Sequence, residues 1–176
     1  SSDLRAGRVT LVTNFDYRPW GGQQACLEAI DGLGVTERVW LAQEARALPG
    51  AERALHAALP ERERARWRLV IPDEDGAPLG EVMARWPSGE WLVTSRHHAA
   101  IAGAWAGSRV VVVGTNEKLR GVAGSLRVPL LSPDATLREV REALRSAVPC
   151  PAPRGLAEEA WAACREFARS AVAPGG

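Results

Sequence analysis

Lysine is almost absent from this chain: Lys118 stands alone beside 21 arginines among the 22 basic residues. Long apolar runs are missing as well. No stretch approaches the ~18 residues that a membrane-spanning helix requires, so no membrane span is expected, and no signal-peptide pattern opens the sequence. Excess charge of one sign is lacking too. A net charge of +1 gives no basic footprint for nucleic acid or an anionic membrane, and neither is expected as a partner. Cys26, Cys150 and Cys164 are odd in number and lack CxxC or zinc spacing, so they read as reduced thiols of a cytoplasmic protein. The sequence contains no GxGxxG and no GxxxxGK[ST], which excludes the dinucleotide fingerprint and the P-loop. It contains no GxSxG either, which argues against an α/β-hydrolase. His97 and His98 have no Cys, Asp or Glu close by in sequence and make a poor metal site, so neither a metal nor another cofactor is expected. The Ser1-Ser2-Asp3 opening without an initiator methionine reads as an artificial edge or as a cut from a longer chain.

What the chain does have is alternation. Residues 8–14 (RVTLVTN), 38–42 (RVWLA), 67–71, 91–94 (WLVT), 109–113 (RVVVV) and 128–131 read as six strands. Helical patterns fall between them, near residues 25–33, 52–59, 79–86, 98–106 and 119–126. Another helix follows the sixth strand through Ala147, with Ser132 or Asp134 as its cap. The uninterrupted valines of 110–113 suit a strand covered on both faces. Six βα units with short connections predict an α/β, Rossmann-like, doubly wound parallel sheet of about six strands in the order 3-2-1-4-5-6. Residues 1–148 form this domain, 149–155 (PCPAPRG) a Pro-rich linker, and 156–176 an extra C-terminal helix and tail through Trp161 and Phe167. Glu61 to Arg68 alternates in sign and reads as a solvated face. Trp40, Trp67 and Trp91 are expected in the core, and Trp20 beside the crevice.

In such a sheet ligands bind beyond the carboxyl ends of the strands, where the strand order reverses. Under the predicted order the turns after the first, fourth and fifth strands meet there. They carry Arg18, then Ser95-Arg96-His97-His98, then Glu117-Lys118. Arginine offers a planar fork for carboxylate or phosphate, lysine a mobile point charge, and helix starts offer unpaired N–H groups. Each residue also has a plainer reading: Arg96 as a surface arginine at a strand end, Lys118 as a solvated side chain. His97 and His98 lie about 100° apart on a helix, so only one is expected to face the crevice.

Ser95-Arg96-His97-His98-Ala99, a Val-rich strand and then Lys118 together resemble the polysaccharide pyruvyl transferase family. The resemblance implies one half of a GT-B-like enzyme, spanning about residues 8 to 147 and moving a pyruvyl group from phosphoenolpyruvate to a sugar hydroxyl. It further implies that Arg96 and His98 match the family's Arg-Leu-His-Ala element and that Lys118 matches its lysine. His97 replaces the apolar residue between Arg and His. Arg18 is the nearest candidate for an arginine that the family carries at the end of the first strand of this half. By this reading His98 is the general acid, Arg96, Lys118 and Arg18 bind the anionic donor, and the sugar acceptor belongs to a missing N-terminal half.

Two other readings fit the same residues. One is the donor half of a GT-B nucleotide-sugar glycosyltransferase, which would favour a carboxylate on the ribose; Glu117 is the obvious acid in the relevant turns. The other is a non-catalytic Rossmann-like module that binds a ligand or a partner.

Overall fold

Six parallel strands form one sheet in the order β3-β2-β1-β4-β5-β6. The structure, a computed structural model, describes residues 5–15, 20–43, 51–72, 78, 81, 86 and 89–149. The strands are β1 (Arg5–Val12), β2 (Glu37–Leu41), β3 (Arg68–Val70), β4 (Gly89–Thr94), β5 (Arg109–Val113) and β6 (Leu130–Leu131). The described helices are α1 (Gln23–Asp31), α2 (Glu52–Ala57), α3 (Glu61–Arg64), α4 (His97–Trp105), α5 (Glu117–Leu126) and α6 (Leu137–Ser146). The predicted α/β class and strand order both hold. Most of the helix expected over residues 79–86, the linker beyond Pro149 and the C-terminal helix lie outside the described residues.

Strand periodicity builds two cores, one on each face. Val9, Leu11, Trp40, Val93 and Val111 point to one side, where Ile30 of α1, Leu55 of α2 and Leu144 of α6 cover them. Val12, Leu41, Leu92, Val110 and Val112 point to the other, against Ala99, Ala100 and Ala104 of α4 and Leu119 and Val122 of α5. This double coverage explains the valine run, because every second residue has its own apolar partner layer. Each fully buried Val or Leu contributes about 1.5–3 kcal/mol.

Helix α4 packs closely on the sheet at Gly103. A Cβ added at Gly103 would overlap Leu92 Cδ2 on β4, so glycine is the residue that permits this approach. Gly107, at φ +81°, then reverses the chain into β5 as the left-handed residue after the helix. The first turn of α4 is thereby set at the carboxyl end of β4.

Two expectations are corrected. The cap of α6 is Thr136 rather than Ser132 or Asp134: Thr136 Oγ1 accepts from the Glu139 N–H, and the Glu139 carboxylate accepts from the Thr136 N–H. Both orphan donors are satisfied there, whereas Ser132 Oγ accepts only from the turn N–H of Asp134 at 3.3 Å. The stretch from Glu61 is largely exposed, as expected of a solvated face; it holds the short helix α3, and Glu63 accepts a hydrogen bond from Trp67 Nε1 at 3.1 Å. Trp20 is 6% exposed and packs into the core rather than lining an open crevice.

Candidate functional site

Side-chain bonds hold the carboxyl ends of β1 and β4 together. Thr94, the last residue of β4, donates its hydroxyl to the Val12 carbonyl at 2.8 Å and accepts from the Arg96 N–H at 2.9 Å. Ser95 Oγ accepts from the Asn14 N–H at 2.6 Å and donates to the Asn14 carbonyl at 2.8 Å. Strand order reverses between these two strands, so the crevice where such folds take ligands has a fixed floor.

Arg96 follows directly as the N-cap of α4, with extended backbone at φ −106° and ψ 123°, and no side chain caps the helix. Its own side chain runs toward α2. Nε donates to Glu52 Oε1 at 2.7 Å and Nη2 to Glu52 Oε2 at 3.2 Å. Glu52 is 0% exposed and stands in the first turn of α2, the helix that follows β2. Because β1 lies between β2 and β4, this ion pair spans the switch point. The Nε–Nη2 edge of the fork and its formal charge are therefore balanced by a carboxylate.

His97 and His98 occupy the first turn of α4 and meet edge to face, with ring centroids 5.3 Å apart and planes at 86°. His97 is half-buried, and its Nδ1 is buried without a hydrogen-bond partner among the described residues; His98 is exposed. Desolvation is the chief cause that holds the His97 pKa below its ordinary value, followed by the charges of Lys118 and His98. Helix α5, which follows the neighbouring strand β5, starts at the same carboxyl edge of the sheet and packs beside α4 in one core cluster. Lys118 lies in the first turn of α5, exposed, and makes no salt bridge among the described residues. Asn116 caps α5 by accepting from the Leu119 N–H at 2.8 Å, so the α5 start is partly satisfied, unlike that of α4. Glu117 is exposed beside Lys118.

Three of the four site residues expected from sequence thus sit at adjacent strand ends: Arg96 and His98 after β4, and Lys118 after β5. Arg18 lies outside the described residues. A positive helix end does not by itself favour three basic side chains. Here Glu52 balances Arg96 and burial disfavours charge on His97, which leaves Lys118 as the cation without an ion-pair partner in this group. An uncapped helix start beside a mobile ammonium is suited to hold a small anion. Elsewhere arginines have structural partners: Arg8 and Arg68 bond Glu37 at 2.9 and 2.8 Å, and Arg38 bonds Asp31 at 3.0 Å.

Glu52 is the residue that sequence reasoning missed. The signal was helical register: Glu52, Leu55 and Leu59 share one face, and that face is buried. An open groove of about 340 Å³ lies between β6 and α6, lined by Leu131, Glu139 and Glu142, at the sheet edge and away from Arg96, His98 and Lys118. Among the described residues no group of three or more His, Cys, Asp or Glu side chains is arranged to hold a metal, and no helix is long and apolar enough to cross a membrane. Compared with known proteins, the chain matches no family model, no curated protein and no solved structure.

Proposed function

We propose that this domain binds an anionic donor as one half of a pyruvyl transferase, which moves a pyruvyl group from phosphoenolpyruvate to sugar hydroxyls. The observation that carries this reading is the uncapped start of α4, bearing Arg96, His97 and His98, next to the start of the neighbouring helix α5, which bears Lys118. The resemblance of residues 95–99 and 118 to that family supports the same choice. Phosphoenolpyruvate presents a phosphate and a carboxylate, which suit a helix start, a lysine and an arginine fork.

In the reaction C2 accepts two sugar oxygens, the C2–O bond to phosphate breaks to release inorganic phosphate, and of the two hydroxyl protons lost one ends on the methylene carbon and the other on the phosphate. His98, exposed on the first turn of α4, supplies the proton to the methylene carbon or the leaving phosphate. Lys118 offsets the phosphate charge. A sugar acceptor would be held outside this domain.

The Glu52–Arg96 pair favours a second reading, a non-catalytic binding module in which Arg96 has a structural task. Calorimetric titration with phosphoenolpyruvate, inorganic phosphate and UDP, on wild type and Lys118→Ala, separates the readings. Saturable binding of phosphoenolpyruvate, weakened about tenfold or more in Lys118→Ala, is the expected result. UDP binding would move the function to nucleotide-sugar transfer. Absence of binding to all three would argue for the module.

A further inference from the structure

We infer that Glu52 is a positioning residue of this crevice, holding the Arg96 guanidinium in one orientation so that the site distinguishes a shaped anion such as phosphoenolpyruvate from bare phosphate. The inference rests on the anionic-donor reading above. A carboxylate that is 0% exposed loses its hydration, and replacing such an ion pair with apolar side chains is often neutral or stabilising. Stability alone is therefore a weak reason to keep it. Attraction is an even weaker one, because Glu52 cancels the charge of Arg96 beside a helix end that draws anions. What the pair does supply is geometry. Two N–H···O bonds at 2.7 and 3.2 Å on the Nε–Nη2 edge fix the plane of the guanidinium.

Both ends of the pair are anchored. The Arg96 amide is bonded to Thr94 Oγ1 at 2.9 Å. One turn beyond Glu52, the His56 imidazole is 8% exposed, its Nε2 lies 3.2 Å from the Trp67 carbonyl, and its ring meets Trp40 at 5.6 Å. This contact sets the rotation of α2, and with it the position of the buried Glu52 carboxylate that meets Arg96. An anion that reaches Arg96 then meets a fork already aimed.

The test compares wild type with Glu52→Gln, which keeps the side-chain shape and removes the charge. Calorimetry with phosphoenolpyruvate and with inorganic phosphate is paired with the exchange of the Arg96 Nε–H, followed in 15N-labelled protein and identified by its loss in Arg96→Lys. The expected result is a loss of about tenfold or more in phosphoenolpyruvate affinity with no loss for phosphate. The Nε–H should change from slow to fast exchange. Equal weakening of both ligands would make Glu52 a prop of the fold, and unchanged affinities would make it a bystander; either overturns the inference. If wild type binds neither ligand, the donor reading fails and the Nε–H alone decides, its persistence in Glu52→Gln overturning the positioning role. Should Glu52→Gln fail to fold, Glu52→Asp, with the charge kept and the reach shortened, is read in the same way.

Discussion

Ser95 and Asn14 exchange two hydrogen bonds through one hydroxyl, at 2.6 and 2.8 Å, although 81 positions separate them in sequence. The turns that leave β1 and β4 therefore behave as a single unit. Ser95→Ala removes both bonds and leaves a main-chain N–H and carbonyl at the crevice floor without that partner. The expected cost is about 1–2 kcal/mol, seen as a lower urea midpoint with an unchanged slope. An unchanged midpoint would mean that the two turns hold together without this hydroxyl.

Thr13 gives the opposite expectation. It is 0% exposed and its Oγ1 has no hydrogen-bond partner among the described residues. Thr13→Val keeps the shape and removes a desolvated hydroxyl, so it should stabilise the fold by about 1 kcal/mol. In a chain of this size the melting temperature should rise by roughly 2–4 °C. A fall would mean that the hydroxyl is satisfied in solution, for example by a bound water.

Two imidazoles set a pH dependence. His56 has a pKa below 6.5, chiefly through burial, and so does His97, through burial and then Lys118 and His98. A native pKa below the unfolded value means that the unfolded state binds more protons in this range. The contribution of these groups is complete above pH 6.5 and is lost as pH falls through their native values. Urea midpoints measured from about pH 7.5 down to about pH 5 should fall, and less steeply in His97→Leu than in wild type. Parallel curves would remove His97 as a source of the effect.

Gly103 controls the height of α4 above β4. Gly103→Ala should cost about 1–3 kcal/mol, because the new methyl group meets Leu92. Thermal melts measure the loss. A neutral result would mean that the helix can lift, and the paired resonances of His97 and His98 should then shift.

The fold was legible because its signals are local and repeated. The valines of β5 and the alternation of strand and helix leave few arrangements once crossovers are right-handed. The α6 cap was legible but misread: Ser132, Asp134 and Thr136 are all capping residue types, and only the Glu139 three residues after Thr136 distinguishes them. Arg96, His98 and Lys118 could be placed at strand ends because the strand pattern fixes where β4 and β5 stop. Glu52 was harder to find. Its role arises from a contact 44 positions away in sequence, and a carboxylate at a helix start has an ordinary local explanation.

The arginine-for-lysine bias leaves one practical consequence. With a single ε-amine in the chain, and that amine exposed in the first turn of α5, mild reductive methylation with isotope-labelled formaldehyde marks Lys118 and otherwise only the terminal amine. The protein thus carries its own spectroscopic reporter beside the crevice, with no engineered tag. An anion that arrives there would move the Lys118 methyl resonance, with the terminal amine as the one other labelled signal.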